Sequence, residues 1–182
     1  EERPNDRIGL VVYAAEAYTK TPVTSDKSVI LDAVNSIKYD NTLQDGTGIG
    51  MGLTTAVNRL KDSKAKSKVI ILLTDGVNNA GFIEPETASD IAEQYGIKVY
   101  TIGIGTNGMA EFPYAIAPNG QFLFRMMQVE IDEKLMQSIA RKTGGKYFRA
   151  TSNSKLAQIY KEINKLETTE IEELRFYDYD EK

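Results

Sequence analysis

Residues 70–79 read IILLTDGVNN. Ile70, Ile71, Leu72 and Leu73 form a continuous apolar run that ends in Thr74, Asp75 and Gly76. A short run of this kind, closed by Asp-Gly turn chemistry, predicts a strand covered on both faces. Such strands belong to mostly parallel sheets, whose connections are helices. The run also leaves an acid where the chain departs the core. In open α/β sheets ligands bind outside the carboxyl ends of the strands. Asp75 is therefore either the start of a turn or a group aimed at a ligand.

The flanking sequence alternates between the two periods. Downstream, Pro85 suits the first turn of a helix, Ala88, Ile91, Ala92 and Tyr95 form its stripe, and Gly96 stops it. Residues 97–105, IKVYTIGIG, predict a second buried strand. Asp132 caps a helix through Lys142, with Leu135, Met136, Ile139 and Ala140 inward and Gly144-Gly145 as its end. A strand at 146–150 and a helix over 154–166 follow, the latter striped by Leu156, Ile159, Tyr160, Ile163 and Leu166. Upstream, 8–13 (IGLVVY) predict another buried strand, and 17–23 (AYTKTPV) an edge strand hairpinned to it, because Pro22 cannot donate to a ladder. Asp26 or Ser25 caps a helix over 27–38, and a further helix follows the glycine-rich segment 45–52 and runs to about 61. The alternation predicts an α/β fold: a Rossmann-like, mostly parallel central sheet with one antiparallel edge strand and helices on both faces. Residues 1–166 read as one domain and 167–182 as an acidic, aromatic extension, solvated or used as a docking segment.

Composition removes several chemistries. The 182 residues contain no cysteine and no histidine. Thiol and imidazole nucleophiles, imidazole bases, disulfides and Cys/His zinc sites are therefore excluded. Any metal needs oxygen ligands, which favours Mg²⁺, Mn²⁺ or Ca²⁺. The net charge is −4 and no basic stripe stands out, which argues against nucleic acid as a partner. No apolar run approaches the ~20 residues of a membrane span, and the opening EERPNDR is not a signal peptide.

Three motifs need weighing. GIGTNG at 103–108 matches a dinucleotide fingerprint, but that motif must open a helix, and here MAEFPYAIAPNG follows with two prolines. Its glycines read as a turn. DGTGIGMG at 45–52 lacks the Lys-Ser/Thr of a Walker loop, so it reads either as a flexible loop or as a ligand loop. In the second case backbone N–H groups and the Thr47 hydroxyl face the ligand. Pro118-Asn119-Gly120 predicts the turn of a small inserted hairpin over 112–126, within an otherwise irregular 106–130. The apolar Phe112, Tyr114, Phe122 and Phe124 of that hairpin form either a satellite core or a partner surface. Thr47 and Asp75 together offer two hard oxygens to a divalent cation.

DGTGIGMGLTTAVNRL at 45–60 and SKVIILLTDGVNNAG at 67–81 resemble the second and third loops of the metal-ion-dependent adhesion site of the von Willebrand factor A (VWA) family. The order of elements fits from Arg7 to about Leu166. GIGTNGMAEFPYA and VEIDEKLMQSIARKTGGKYFRAT resemble, within that family, the membrane-associated Bat (Bacteroides aerotolerance) proteins. The resemblance implies that the Thr47 hydroxyl binds the cation directly and that Asp75 binds it directly or through water. It implies further ligands from an Asp-x-Ser-x-Ser loop ending the family's first strand, a sequence absent here. The family's first strand and most of its first helix are thus expected upstream of this chain. In the family's sheet that strand lies between 8–13 and 68–74. Without it, two strand edges stand open, and the neighbours close up, or a second copy or a peptide pairs there, or the unit is only partly native.

The resemblance implies a protein-protein interaction module, not an enzyme. A partner's Asp or Glu carboxylate completes the coordination of Mg²⁺, or of Mn²⁺ or Ca²⁺, with weak or no metal binding by this chain alone. Sister VWA proteins of a Bat complex are the expected partners, with self-association through open strand edges as a further one. Anchoring at the bacterial inner membrane is expected through helices outside this chain, with the domain on the periplasmic side. The competing reading is a metal-assisted hydrolase or nucleotide-binding α/β enzyme, which requires a base with a partner or a phosphate cradle. A third is an interaction domain that uses no metal.

Overall fold

The computed structural model describes residues 6–37, 45–105 and 108–180. The end of the first predicted helix at 38, and residues 181–182 of the extension, lie outside them. Seven strands and five helices follow one another: β1 (Ile8–Tyr13), β2 (Ala17–Thr24), α1 (Lys27–Asn35), α2 (Ile49–Leu60), β3 (Val69–Thr74), α3 (Pro85–Gln94), β4 (Lys98–Ile104), β5 (Gly108–Ile116), β6 (Phe122–Val129), α4 (Glu133–Lys142), β7 (Tyr147–Ala150) and α5 (Asn153–Asp180). Among the described residues they form three sheets: β1-β2, β3-β4-β7 and β5-β6. The Thr101 N–H donates to Lys146 O and the Gly105 N–H to Ala150 O. Donor and acceptor advance together by four residues, so β4 and β7 run parallel. The predicted α/β class with a parallel central sheet is thus observed.

The chain forms two compact units. Glu1–Leu72, Asn78–Thr101 and Lys134–Tyr147 make the first; Leu73–Val77, Ile102–Glu133 and Phe148–Lys182 make the second. The core of the first unit gathers Ile49, Leu53 and Val57 of α2, Ile70 and Leu72 of β3, Ala88 and Ala92 of α3, Val99 of β4, and Met136 and Ile139 of α4. These are inward positions of the predicted stripes, but two expectations fail: Tyr95 is 42% exposed, since α3 ends at Gln94, and the stripe expected on α1 buries nothing, with Val29, Val34 and Ile37 exposed. Gly96 turns the chain at φ +60°. Thr101, fully buried, donates its hydroxyl to Met136 O at 2.8 Å and so satisfies itself inside the core.

β1 departs from expectation. It pairs antiparallel with β2, as predicted, and Pro22 falls where the register skips between Leu10↔Thr21 and Ile8↔Thr24. Yet none of its six residues is buried, and Ile8 is 41% exposed. The reason is that the sheet has only two strands. β2 covers one edge of β1, while α1 and α2 are the helices that rest on the pair. β1 and β3 belong to separate sheets, so no ladder closes between them. α1 is capped as predicted: the Asp26 carboxylate accepts from the Ser28 N–H at 2.9 Å and the Ser28 hydroxyl at 2.6 Å. Those bonds, the hydroxyl's first, hold the Asp26 carboxyl below its ordinary range.

In the second unit the inserted hairpin is present, but longer than predicted, pairing Gly108↔Val129 through Ile116↔Phe122. The segment 108–129 is therefore regular rather than irregular. Gly120 takes φ +81° in the Pro118-Asn119-Gly120 turn. The register places Met109, Ile116, Phe122, Phe124 and Met126 on one face, and all five are exposed, from 42% to 60%. Arg125 lies over the Tyr114 ring on the other face, 5.8 Å from its centroid. Tyr114, Phe122 and Phe124 thus build no satellite core; the Phe112 side chain lies outside the described part. At the root of the hairpin, Arg149 donates to Gly105 O at 2.8 Å and pairs with Glu133 at 2.6 Å. α5 also exceeds its predicted end at 166 and continues to Asp180. Its buried side is Ile159, Ile163 and Glu167, whereas Tyr160 and Leu166 are exposed.

Candidate metal and partner site

Thr47 belongs to the first unit, in the loop ahead of α2. That loop is fixed by backbone approach rather than left flexible. A Cβ on Gly48 would lie 2.8 Å from Ala15 O, one on Gly46 2.7 Å from the Ala80 methyl, and one on Gly50 only 1.9 Å from Ile83 O. A Cβ on Gly52 would meet the Tyr13 ring at 2.7 Å. The alternating glycines at 46, 48, 50 and 52 therefore let the start of α2 press against the β1–β2 turn and the 79–83 loop.

The donors of this loop are also spoken for. The Thr47 N–H donates to Asn79 Oδ1 at 2.8 Å and the Ile49 N–H to Asn78 Oδ1 at 2.8 Å. The Gly48 N–H donates to Ala14 O at 2.6 Å. In return, Thr47 O accepts from the Asn79 and Ala80 N–H groups at 3.0 and 3.3 Å. The expectation that backbone N–H groups face a ligand here is corrected: at Thr47, Gly48 and Ile49 they are bound within the protein. Asn78 and Asn79 are the functional residues that sequence reading missed. Asn78 supplies the cap that α2 lacks, since the N-cap residue, Gly48, has no side chain, and Asn79 ties down the loop ahead of it. The sequence signal was the adjacent Asn pair, but its partners lie about thirty residues away.

Asp75 belongs to the second unit, just past β3, and is exposed. Thr74, 5% exposed, accepts the Gly76 N–H on its hydroxyl at 3.3 Å and shapes the turn. Among the described residues Asp75 has no hydrogen-bond or ion-pair partner, and the Thr47 hydroxyl has none either. Both are hard oxygens of the kind Mg²⁺, Mn²⁺ and Ca²⁺ take. In kind they fit such a cation; in number they are two of about six. No group of three acidic side chains that could hold a metal occurs among the described residues. After β4 the chain passes to β5 and no helix opens, so GIGTNG lacks the context of a dinucleotide site.

The sequence profile of the von Willebrand factor type A domain matches residues 1–162. The chain belongs to this family. Among solved structures, this VWA domain is similar to the conserved hypothetical protein BatB from Bacteroides thetaiotaomicron, with 30% identity and a TM-score of 0.72 over 92% of this chain and 82% of that one. It is similar to an aerotolerance-related membrane protein from Bacteroides fragilis, with 29% identity and a TM-score of 0.70 over 88% and 80% of the two chains. It is also similar to proximal thread matrix protein 1 of the mussel byssus, whose MIDAS motif (the metal-ion-dependent adhesion site) is occupied by zinc. That match has 25% identity and a TM-score of 0.63, over 88% of this chain and 34% of the mussel chain. This VWA domain spans about half the length of the curated relatives it matches. VWA domains commonly hold a divalent metal at the adhesion site and usually mediate protein-protein interactions. No helix among the described residues is long and apolar enough to cross a membrane.

Proposed function

We propose that this VWA domain is a protein-protein interaction module whose adhesion site holds a divalent cation on Thr47 and Asp75 and presents it to a partner's Asp or Glu carboxylate. The observation that carries the reading is the direction of polarity in the Thr47 loop. A phosphate cradle turns backbone N–H groups outward. Here Asn78, Asn79 and Ala14 take the amides of residues 47–49. What remains at Thr47 and Asp75 is oxygen without a described partner, which suits a cation and not an anion. This disfavours the nucleotide-binding alternative.

A bound cation would supply a Lewis-acidic position that a carboxylate completes, with binding and no chemical conversion as the outcome. The other positions are for water and for ligands outside this chain, as the family's Asp-x-Ser-x-Ser loop implies. The likeness to BatB and to an aerotolerance-related membrane protein supports a place in a Bat-type complex with sister VWA proteins at the bacterial inner membrane. The blocks at 103–115 and 129–151 point within that group to BatA. Anchoring helices would lie outside this chain and the domain would face the periplasm.

The test is calorimetric titration of the intact-length protein with Mg²⁺ and Mn²⁺, beside Thr47→Ala and Asp75→Ala. Each variant is expected to weaken binding by about tenfold or more, roughly 1.4 kcal/mol. Unchanged affinity in both would remove the assignment. Residues 1–182 alone are expected to bind weakly, so a tight stoichiometric Mg²⁺ isotherm for them would show that two protein ligands suffice.

A further inference from the structure

Phe82 is 86% exposed, the most open large apolar side chain among the described residues. A single exposed apolar residue is ordinary on a protein surface. What sets Phe82 apart is the stiffness of the loop that carries it. The Asn79 and Ala80 N–H groups donate to Thr47 O. A Cβ on Gly81, which sits at φ +86°, would meet Met51 Cγ at 2.6 Å, and Ile83 O lies against the Gly50 backbone. Residues on both sides of Phe82 are thus pinned to the Thr47 loop, while its ring is left in water.

A rigid loop has already lost its backbone freedom, so covering the ring would recover its apolar surface at little further entropic cost. Aromatic anchors held in this way are the side chains that dominate interface energies. Position fixes what the anchor would read. Ala80 is bonded to Thr47, and Phe82 is two residues on, at most about 7 Å of backbone. A partner whose carboxylate approaches Thr47 would therefore bring the next two or three of its own residues over Phe82.

We propose that Phe82 is the specificity anchor of the adhesion site, and that the partner sequence it selects is an acidic residue with a large apolar one within three positions. This rests on the cation site proposed above. The probe is a random heptapeptide library displayed against the intact-length protein in Mn²⁺, with wild type, Phe82→Ser, Phe82→Leu and Thr47→Ala in parallel. Wild type is expected to enrich Asp or Glu flanked by Phe, Leu, Met or Trp. Phe82→Ser, with an unchanged melting temperature because the ring is exposed, is expected to keep the acid and lose the flank. It should weaken the best wild-type peptide by about tenfold, and Phe82→Leu should restore most of that. Thr47→Ala should lose the acid preference. Enriched acids with unbiased flanks, or the same flanks in Phe82→Ser, would overturn the role of Phe82 and leave the cation site standing. No Thr47-dependent acid preference in wild type would overturn the site reading, and this inference with it.

Discussion

Gly50→Ala sets two effects of opposite sign against each other. Gly50 lies in the first turn of α2. Replacing a helical glycine by alanine ordinarily stabilises by about 1 kcal/mol. Here the new Cβ would lie 1.9 Å from Ile83 O and 2.8 Å from the Ile83 carbonyl carbon. Both are backbone atoms, so no side chain can swing away. Restoring van der Waals contact requires α2 and the 83–84 segment to part by more than ~1 Å, and a gap of 0.5–1 Å already forfeits about a quarter to a half of a contact. The contacts at stake are those of Leu53 and Val57 with Ala88 and Ala92 across the α2–α3 packing. Full burial of a Leu or Val contributes roughly 1.5–3 kcal/mol, so a quarter to a half of that over Leu53 and Val57 is about 1–3 kcal/mol, to which overpacking strain adds about 1–3 kcal/mol. The clash wins, by a net of about 2 kcal/mol. Urea denaturation followed by far-UV circular dichroism measures it as a lower midpoint at constant slope. Gly52→Ala is the comparison, because its Cβ meets a side chain rather than backbone: the Tyr13 Cγ at 2.7 Å and Cβ at 3.2 Å, so relief requires the whole Tyr13 side chain to swing, at a cost of about 1–3 kcal/mol. A Gly50→Ala midpoint equal to or above wild type would refute the close backbone approach, and with it the reading of the glycines as packing residues.

Asn79→Ala leaves the exposed Thr47 N–H to water and should cost about 0.5–1 kcal/mol, whereas Asn78→Ala strands the half-buried Ile49 N–H at about 1–2 kcal/mol. Amide hydrogen exchange at 47–50 should accelerate in both, and Asn78→Asp, which keeps the acceptor at a helix N-terminus, should restore most of the loss. Protonation should uncap α1: the Asp26 carboxyl is held low in the folded state, so its contribution is complete above its ordinary value of 3.8 and fades as pH falls below it. Exchange across Lys27–Asn35 should then rise at acid pH in wild type and already at neutral pH in Asp26→Ala. Phe124→Ser with Met126→Ser, on the open hairpin face, should shift stability by no more than about 0.5 kcal/mol per site. A loss above 2 kcal/mol in thermal melts would mean that the face is buried in solution.

How far the fold could be read follows from what each residue's neighbours are. β3, β4, α3 and α4 were legible because their partners are each other, and a run or stripe of apolar residues reports that directly. β1 has the same apolar run but a two-stranded sheet to sit in, so Ile8 stays exposed; a run states what a strand would bury, not what is there to cover it. α5 passes 166 because no glycine or proline follows to stop it, and acidic composition alone does not end a helix. At the site, Asp75 and Thr47 stood out by position at a strand end and a helix start. The brace did not, since Asn78 and Asn79 bond residues about thirty positions away. The glycines misled for a related reason: close approach of two backbones and a cradle for a ligand call for the same residue.

The interlock of these two loops bears on how the site could be moved. The segment 70–79 carries a core strand, a carboxylate and two amide side chains, yet its amides have no purpose without the glycines at 46–50 to receive them. Grafting either segment into another scaffold would transfer oxygen atoms without their bearings. The transferable unit is the pair, 45–52 with 78–83, docked backbone to backbone. Single replacements at its glycines or asparagines are expected to lower the cation affinity proposed for Thr47 and Asp75, although none of these residues is a proposed ligand.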